Sequence, residues 1–175
     1  MTDQRPVCLG HSVGGATVAW AAARHPDRIR AAVLVDPERF HTTPDEHLAG
    51  FEAMTKERVN ELHETPIEEL MEEFPAYLDA EYTRRRVRGI KRCDERIAAI
   101  SGSPHPPVRE ALRDIRCPVL VLRRDVGNDW KENEQALDRK LDHVSVSQVP
   151  EAGHAVFDDA YDTALEELRQ FLEAV

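Results

Sequence analysis

Gly10-His11-Ser12-Val13-Gly14, extended by Gly15, sets a serine among small residues where a short apolar run, Val7-Cys8-Leu9, gives way to an alanine-rich stretch. The pattern G-x-S-x-G is that of a nucleophile elbow, a sharp strand-to-helix turn that lifts a serine hydroxyl clear of its surroundings. Such a turn is strained, and side chains at the flanking positions are expected to collide with neighbouring backbone. The helix after it aims its positive end, and the backbone N–H of Val13, at the place where an oxyanion develops during attack on a carbonyl. The chemistry these residues predict is nucleophilic acyl transfer, with Ser12 as nucleophile and Val13 as oxyanion donor.

A serine hydroxyl needs a base, and the base needs an orienting acid. Val149-Pro150-Glu151-Ala152-Gly153-His154 puts a histidine in a turn between the last strand-like run and the last helical stripe, so His154 is the expected base. The acid is expected at the end of the run Val119 to Leu122, where the loop offers Asp125 and Asp129; Asp36, which ends an earlier run, is a third choice. Counting from Pro118 does not separate Asp125 from Asp129. Asp129 is preferred, because Gly127-Asn128 can form the turn that returns it over the sheet edge. His11, beside the nucleophile, is expected to pack and hydrogen-bond rather than catalyse; His25, His41, His47, His63, His105 and His143 show no H-E-x-x-H or other ligand spacing, and no metal or cofactor is expected.

The elements that must hold these groups are legible from period and punctuation. Ala16 to Arg24 reads as a helix with a nearly continuous apolar surface, stopped by His25-Pro26-Asp27. Ala31 to Val35 is a second apolar run, ended by Asp36-Pro37; two such runs around one helix make a βαβ unit with a buried parallel pair. Thr43-Pro44-Asp45-Glu46 and Thr65-Pro66-Ile67-Glu68 each read as a capping box. Ile67, Leu70, Met71, Phe74 and Leu78 follow at helical spacing, with Pro75 breaking the run, and Val108, Ala111, Leu112 and Ile115 form a further stripe. Residues 38–116 therefore read as a helical insertion, a cap, between core segments 1–37 and 117–175. Strand chemistry returns at Pro118 to Leu122 and Val144 to Val149, separated by a helix near Glu132 to Leu141. Leu165, Leu168, Phe171 and Leu172 make the apolar face of a closing helix. The fold class is α/β, a mostly parallel sheet of about four strands with helices and a helical cap.

Composition narrows the partners. The 175 residues suit one domain or one core with an inserted subdomain. A formal net charge of −10 argues against general nucleic-acid binding and against docking to anionic lipid. No apolar run approaches bilayer length, and Met1 to Pro6 lacks the features of a signal peptide. Cys8, Cys93 and Cys117 are odd in number and lack CxxC spacing, so reduced thiols in a cytoplasmic protein are expected. The basic stretch Arg84, Arg85, Arg86, Arg88, Lys91, Arg92 and Arg96 reads as a solvated face paired with local acids such as Asp94 and Glu95.

Beyond the elbow, ARHPDRIRAAVLVDP, CPVLVLR and VPEAGH resemble recurrent segments of the α/β-hydrolase superfamily, specifically capped serine hydrolases with a G-H-S-x-G-G elbow. The order Ser12, acid, His154 matches that family's chain order. The resemblance implies hydrolysis of a small ester, thioester, lactone or related acyl substrate by a Ser-His-Asp triad, without cofactor. It also implies a departure. In the family several strands and an oxyanion loop precede the serine, which here is the twelfth residue. The expectation is a carboxyl-terminal half of the fold with Val7 to Leu9 as an exposed edge, prone to self-association or completed by an amino-terminal segment. The rival expectation is a non-catalytic remnant serving as a binding or partner-completed module.

Overall fold

A computed structural model of the chain describes residues 5–41, 45–125 and 140–175. Four strands, β1 (Val7–His11), β2 (Ala31–Val35), β3 (Val119–Arg123) and β4 (Val144–Gln148), form one sheet in the order β1-β2-β3-β4, and every neighbouring pair is parallel. The chain forms two compact units: residues 1–42 with 106–175, and residues 43–105.

The sheet unit is held by alternation. In the interior strands β2 and β3 every residue is buried, as a parallel sheet covered on both faces requires. Ala32, Leu34, Val119 and Val121 face one core, shared with Val144 and Val146 of β4. Val33, Val35, Leu120 and Leu122 face a second core with Val149, Ala152 and Val156. The first face is covered by α1 (Val13–Arg24), which buries Ala16, Ala19 and Ala22, methyl side chains that let the helix lie close. The helix ends where expected: the His25 N–H donates to Ala21 O, and Pro26 follows. The second face is covered by α7 (Val156–Asp159) and α8 (Tyr161–Ala174). In α8 the inward residues are Ala164, Leu168 and Phe171, whereas Leu172, expected on that face, is exposed.

The stretch 106–116, grouped from the sequence with the cap, packs with the sheet. Its helix α6 (Val108–Ala111) and the residues after it put Val108, Ala111, Leu112 and Ile115 into the same core as α1. The stripe that marks a helix does not say which surface it will cover.

The second unit contains α2 (Asp45–Glu64), α3 (Ile67–Glu72), α4 (Ala80–Ile90), a 3₁₀ turn (Glu95–Ile97) and α5 (Ala98–Gly102). The capping box expected at Thr65 does not form. The Thr65 hydroxyl and N–H both go back to Glu61 O, finishing α2, and α3 begins after Pro66 without a side-chain cap. Thr43 of the other expected box lies outside the described residues. Lys91 caps the end of α2, donating to the carbonyls of Leu62, His63 and Thr65 at 3.1, 2.8 and 2.6 Å, a cation at the negative end of a helix dipole. Three of the other basic residues meet local acids: Arg96 chelates Asp94, Arg84 meets Glu68 and Arg85 meets Glu81, whereas Arg86 lies over the rings of Phe74 and Tyr82. The helix expected near 132–141 lies almost wholly outside the described residues. Among the described residues no helix is long and apolar enough to cross a membrane.

The elbow glycines are not equivalent. A Cβ on Gly10 would overlap the Gly14 carbonyl, and one on Gly15 would press on Pro37 Cβ at 3.0 Å and Gly10 O at 3.1 Å. A Cβ on Gly14 meets no described atom within 4 Å, which corrects the expectation that both flanking positions collide. Gly14 already lies in the first turn of α1 and points away from the strand. Gly10→Ala is accordingly expected to destabilise by ~3 kcal/mol, the upper end of typical overpacking. Gly14→Ala should be neutral or stabilise by up to ~1 kcal/mol, since alanine is the better helix former. Chemical denaturation of the two variants checks the contrast; equal losses would remove the asymmetry.

Candidate active site

Register places the first two groups. His11 is paired with Val35, so the next residue of each strand, Ser12 and Asp36, emerges at the same level on the carboxyl edge of the sheet. Ser12 has φ 54° and ψ −120°, a conformation costly for a residue with a side chain. Its backbone is fixed from both sides: the N–H donates to Val35 O at 3.0 Å, and the carbonyl accepts from Ala16 N–H at 3.1 Å and Glu38 N–H at 3.0 Å. Val13 opens α1, so its N–H is one of the first-turn donors that has no acceptor inside the helix. Asp36 also has a positive φ, 34°, and its N–H donates to Leu122 O at 2.7 Å. With Arg39 (φ 51°) and Glu151 (φ 62°), these are the non-glycine residues of positive φ among the described residues, and all four lie in loops at the carboxyl ends of strands.

The turn after β4 is pinned to the end of β3. Val149 N–H donates to Arg123 O, Asp125 N–H donates to Ala152 O at 2.9 Å, and Asp125 Oδ2 accepts from Glu151 N–H at 3.4 Å. Asp159, from α7, accepts the Gly153 N–H at 2.8 Å. These bonds deliver His154 to the sheet edge. Its Nδ1 lies 2.6 Å from Asp36 Oδ2, and its carbonyl accepts from His11 Nε2 at 2.8 Å, with the two rings 4.7 Å apart. His154 is half exposed and Asp36 is 3% exposed. Engaging Nδ1 leaves Nε2 as the nitrogen open to proton transfer.

Asp36 is held on both oxygens. Oδ1 accepts from Arg123 Nη1 at 2.5 Å and, at 3.5 Å, from the Arg124 N–H. Burial pushes its carboxyl pKa up, but the His154 hydrogen bond and the charges of Arg123 and Arg124 outweigh burial and hold it below the ordinary carboxylate value. It is an ionised, buried carboxylate.

The structure thus brings Ser12, Val13, Asp36 and His154 to one sheet edge. Among the described residues the carboxylate on His154 is Asp36, the third choice from the sequence. Asp125 lies beside the histidine's loop and bonds its backbone. Asp129, preferred from the sequence, lies outside the described residues together with its turn Gly127-Asn128. The Ser12 hydroxyl makes no hydrogen bond to His154. The sequence reading missed Arg123: a cation closing an apolar run signals a strand end, but not what it pairs with. Among the described residues no group of three or more His, Cys, Asp or Glu is placed to hold a metal ion.

Asp36→Ala removes the carboxylate from a buried guanidinium and is expected to lower stability by ~3–5 kcal/mol. Because the folded state lowers this carboxyl's pKa, its contribution is complete above the unfolded value and is lost as pH falls through the folded value. Urea denaturation should therefore show the gap between wild type and Asp36→Ala constant at neutral pH and closing only in strong acid. A gap that closes near pH 6 would assign the effect to another group.

The sequence model of the alpha/beta hydrolase family matches residues 2–168. Among solved structures the fold is similar to MenH from S. aureus, with TM-score 0.67 at 15% identity, covering 97% of this chain and 68% of that one. It is also similar to E-2-(acetamidomethylene)succinate hydrolase, TM-score 0.62 at 23% identity, covering 97% and 67%. A third is naproxen esterase (carboxylesterase NP) from Bacillus subtilis, TM-score 0.63 at 17% identity, covering 97% and 60%. Among curated protein sequences none matches. With its parallel sheet, strained serine elbow and matched sequence pattern, this chain belongs to the α/β hydrolase family.

Proposed function

We propose that the chain carries the catalytic centre of a serine hydrolase acting on a small ester, thioester, lactone or related acyl compound. The observation that carries the reading is the His154 Nδ1 to Asp36 Oδ2 hydrogen bond, set on the same sheet edge as the strained Ser12. In this reading Ser12 Oγ attacks the substrate carbonyl while His154 Nε2 takes its proton. The Val13 N–H stabilises the tetrahedral oxyanion, and Asp36 holds the imidazole in the productive tautomer and stabilises its charged form. Collapse expels the leaving group, which takes the proton from His154. Water then attacks the acyl-enzyme by the same route, releasing the acid and restoring Ser12. Catalytic hydrogen bonds commonly tighten only when substrate binds, so the open Ser12 hydroxyl is compatible with this role. Of the fold neighbours, naproxen esterase is by its name an esterase and E-2-(acetamidomethylene)succinate hydrolase by its name a hydrolase, which supports this class of reaction.

Asp36, rather than Asp129, is assigned as the acid. A fluorophosphonate probe is expected to label Ser12, Ser12→Ala to abolish labelling, and His154→Ala to slow it strongly. Asp36→Asn should reduce ester turnover by about 10⁴, since an amide cannot hold the imidazole tautomer, and Asp129→Asn should have a mild effect. The reverse ranking would return the role to Asp129, and undiminished labelling of Ser12→Ala would end the serine assignment.

One observation supports a second element of function. Among the described residues β1 pairs only with β2, and Leu9 on it is 50% exposed. A strand edge beside the nucleophile accepts further pairing. We propose that an amino-terminal α/β segment completes the sheet there and contributes the second oxyanion donor that the family resemblance implies. Adding such a segment from a homologue is expected to raise ester turnover by about 10²–10³ and to suppress self-association in sedimentation. Full activity of the monodisperse chain alone would show that no completion is needed.

A further inference from the structure

Arg123 is the last residue of β3, an interior strand whose other residues are all apolar, and it is 6% exposed. Its guanidinium lies 4.8 Å from the centroid of the buried Phe40 ring and donates to Asp36 Oδ1. Stability alone does not account for such a group. A buried ion pair is often no better than well-packed apolar residues of the same volume. What the arrangement supplies is direction. Asp36 has two oxygens and one task in the proposed mechanism, and Arg123 occupies the oxygen that His154 does not. The cation is itself fixed, with its guanidinium carbon over an aromatic ring and its stem at the end of a paired strand.

We propose that Arg123 is a positioning residue: it holds Asp36 charged and turned so that Oδ2 is presented to His154, and it acts on turnover only through that carboxylate. The inference rests on the Ser12–His154–Asp36 reading above. It assigns to β3 a part in the site different from its expected one, a fixed cation for an acid that directly follows β2. Among the described residues, the charged and titratable groups around the pair include Arg123 and Arg124 at the end of β3, His11 at the end of β1, Asp125 and Asp159, which accept from backbone N–H groups of the loop that carries His154, and Glu151 in that loop. Arg124 is half exposed, with Nε 3.9 Å from Oδ2, and is a weaker, solvent-screened partner.

The test combines titration with kinetics on the whole chain. Carboxyl-detected NMR of Asp36 is recorded in wild type, His154→Ala, Arg123→Met, Arg123→Gln and Arg123→Lys. Asp36 is expected to stay below the ordinary carboxylate range in His154→Ala and Arg123→Lys, and to titrate higher than in wild type in either neutral variant. Hydrolysis of p-nitrophenyl acetate should show kcat reduced about tenfold or more in the neutral variants, KM little changed, and partial rescue by lysine. In an Asp36→Asn background, Arg123→Met should add no further loss, because the group it acts through is gone.

A folded neutral variant with an unmoved Asp36 titration, a loss confined to KM, or additive losses in the double variant would overturn the proposal. If neither neutral variant folds, an ordinary Asp36 titration in His154→Ala overturns it alone. Absence of Ser12 labelling in wild type, or an undiminished Asp36→Asn, would instead sink the catalytic reading and leave the titration result standing by itself.

Discussion

A buried carboxylate with a cation on one oxygen and an imidazole on the other organises the carboxyl edge of this sheet. Asp36 is almost wholly removed from water, which by itself would favour its neutral form, yet its partners keep it charged. Those partners come from two directions: Arg123 and Arg124 from the end of β3, and His154 from the turn after β4. The carboxylate is therefore a tie among strands far apart in sequence. A charge in such a place is either well paired or strongly destabilising, so the surrounding loops have little freedom in where they set their ends.

The strain at this edge has the same origin. For Ser12 and Asp36 to leave adjacent strands and point into one site, both turn sharply into positive φ, and the sheet supplies the backbone bonds that hold them there. Close approach makes those bonds geometrically possible. Gly10 lets the strand pass beneath the start of α1, and Gly15 lets α1 pass close to Pro37, directly after Asp36. Alanines at 16, 19 and 22 continue the same tight seam down the sheet. Packing at the seam and conformation at the site are one constraint: widening the first would release the second.

Much of this was legible in the residues because it is local. Short apolar strand runs, the proline stop after α1, the glycine-flanked serine and the turn bearing His154 depend on neighbours a few positions away, and backbone sterics act over that range. The four-stranded parallel sheet agrees with such signals, since a helix between two apolar runs is the crossover that a parallel pair requires.

The parts decided by tertiary structure are those in which one sequence signal fits several partners. Three aspartates near strand ends were equally suited by type to orient an imidazole. The pairing of Asp36 with His154, 118 residues away, comes from register: β2 is interior, beside the serine strand, and its end faces the pinned loop after β4. Arg123 follows the apolar run as the first polar residue after it, and only the neighbouring strand places a carboxylate against it. The stripe Val108 to Ile115 marked a helix but not which core it would join, and Thr65 had two helices to serve and served the earlier one. Sequence alone determined which residues can do chemistry and which elements carry them. Spatial adjacency across the sheet decided which of those residues meet, because hydrogen bonds and ion pairs depend on distances of a few ångströms that no local pattern encodes.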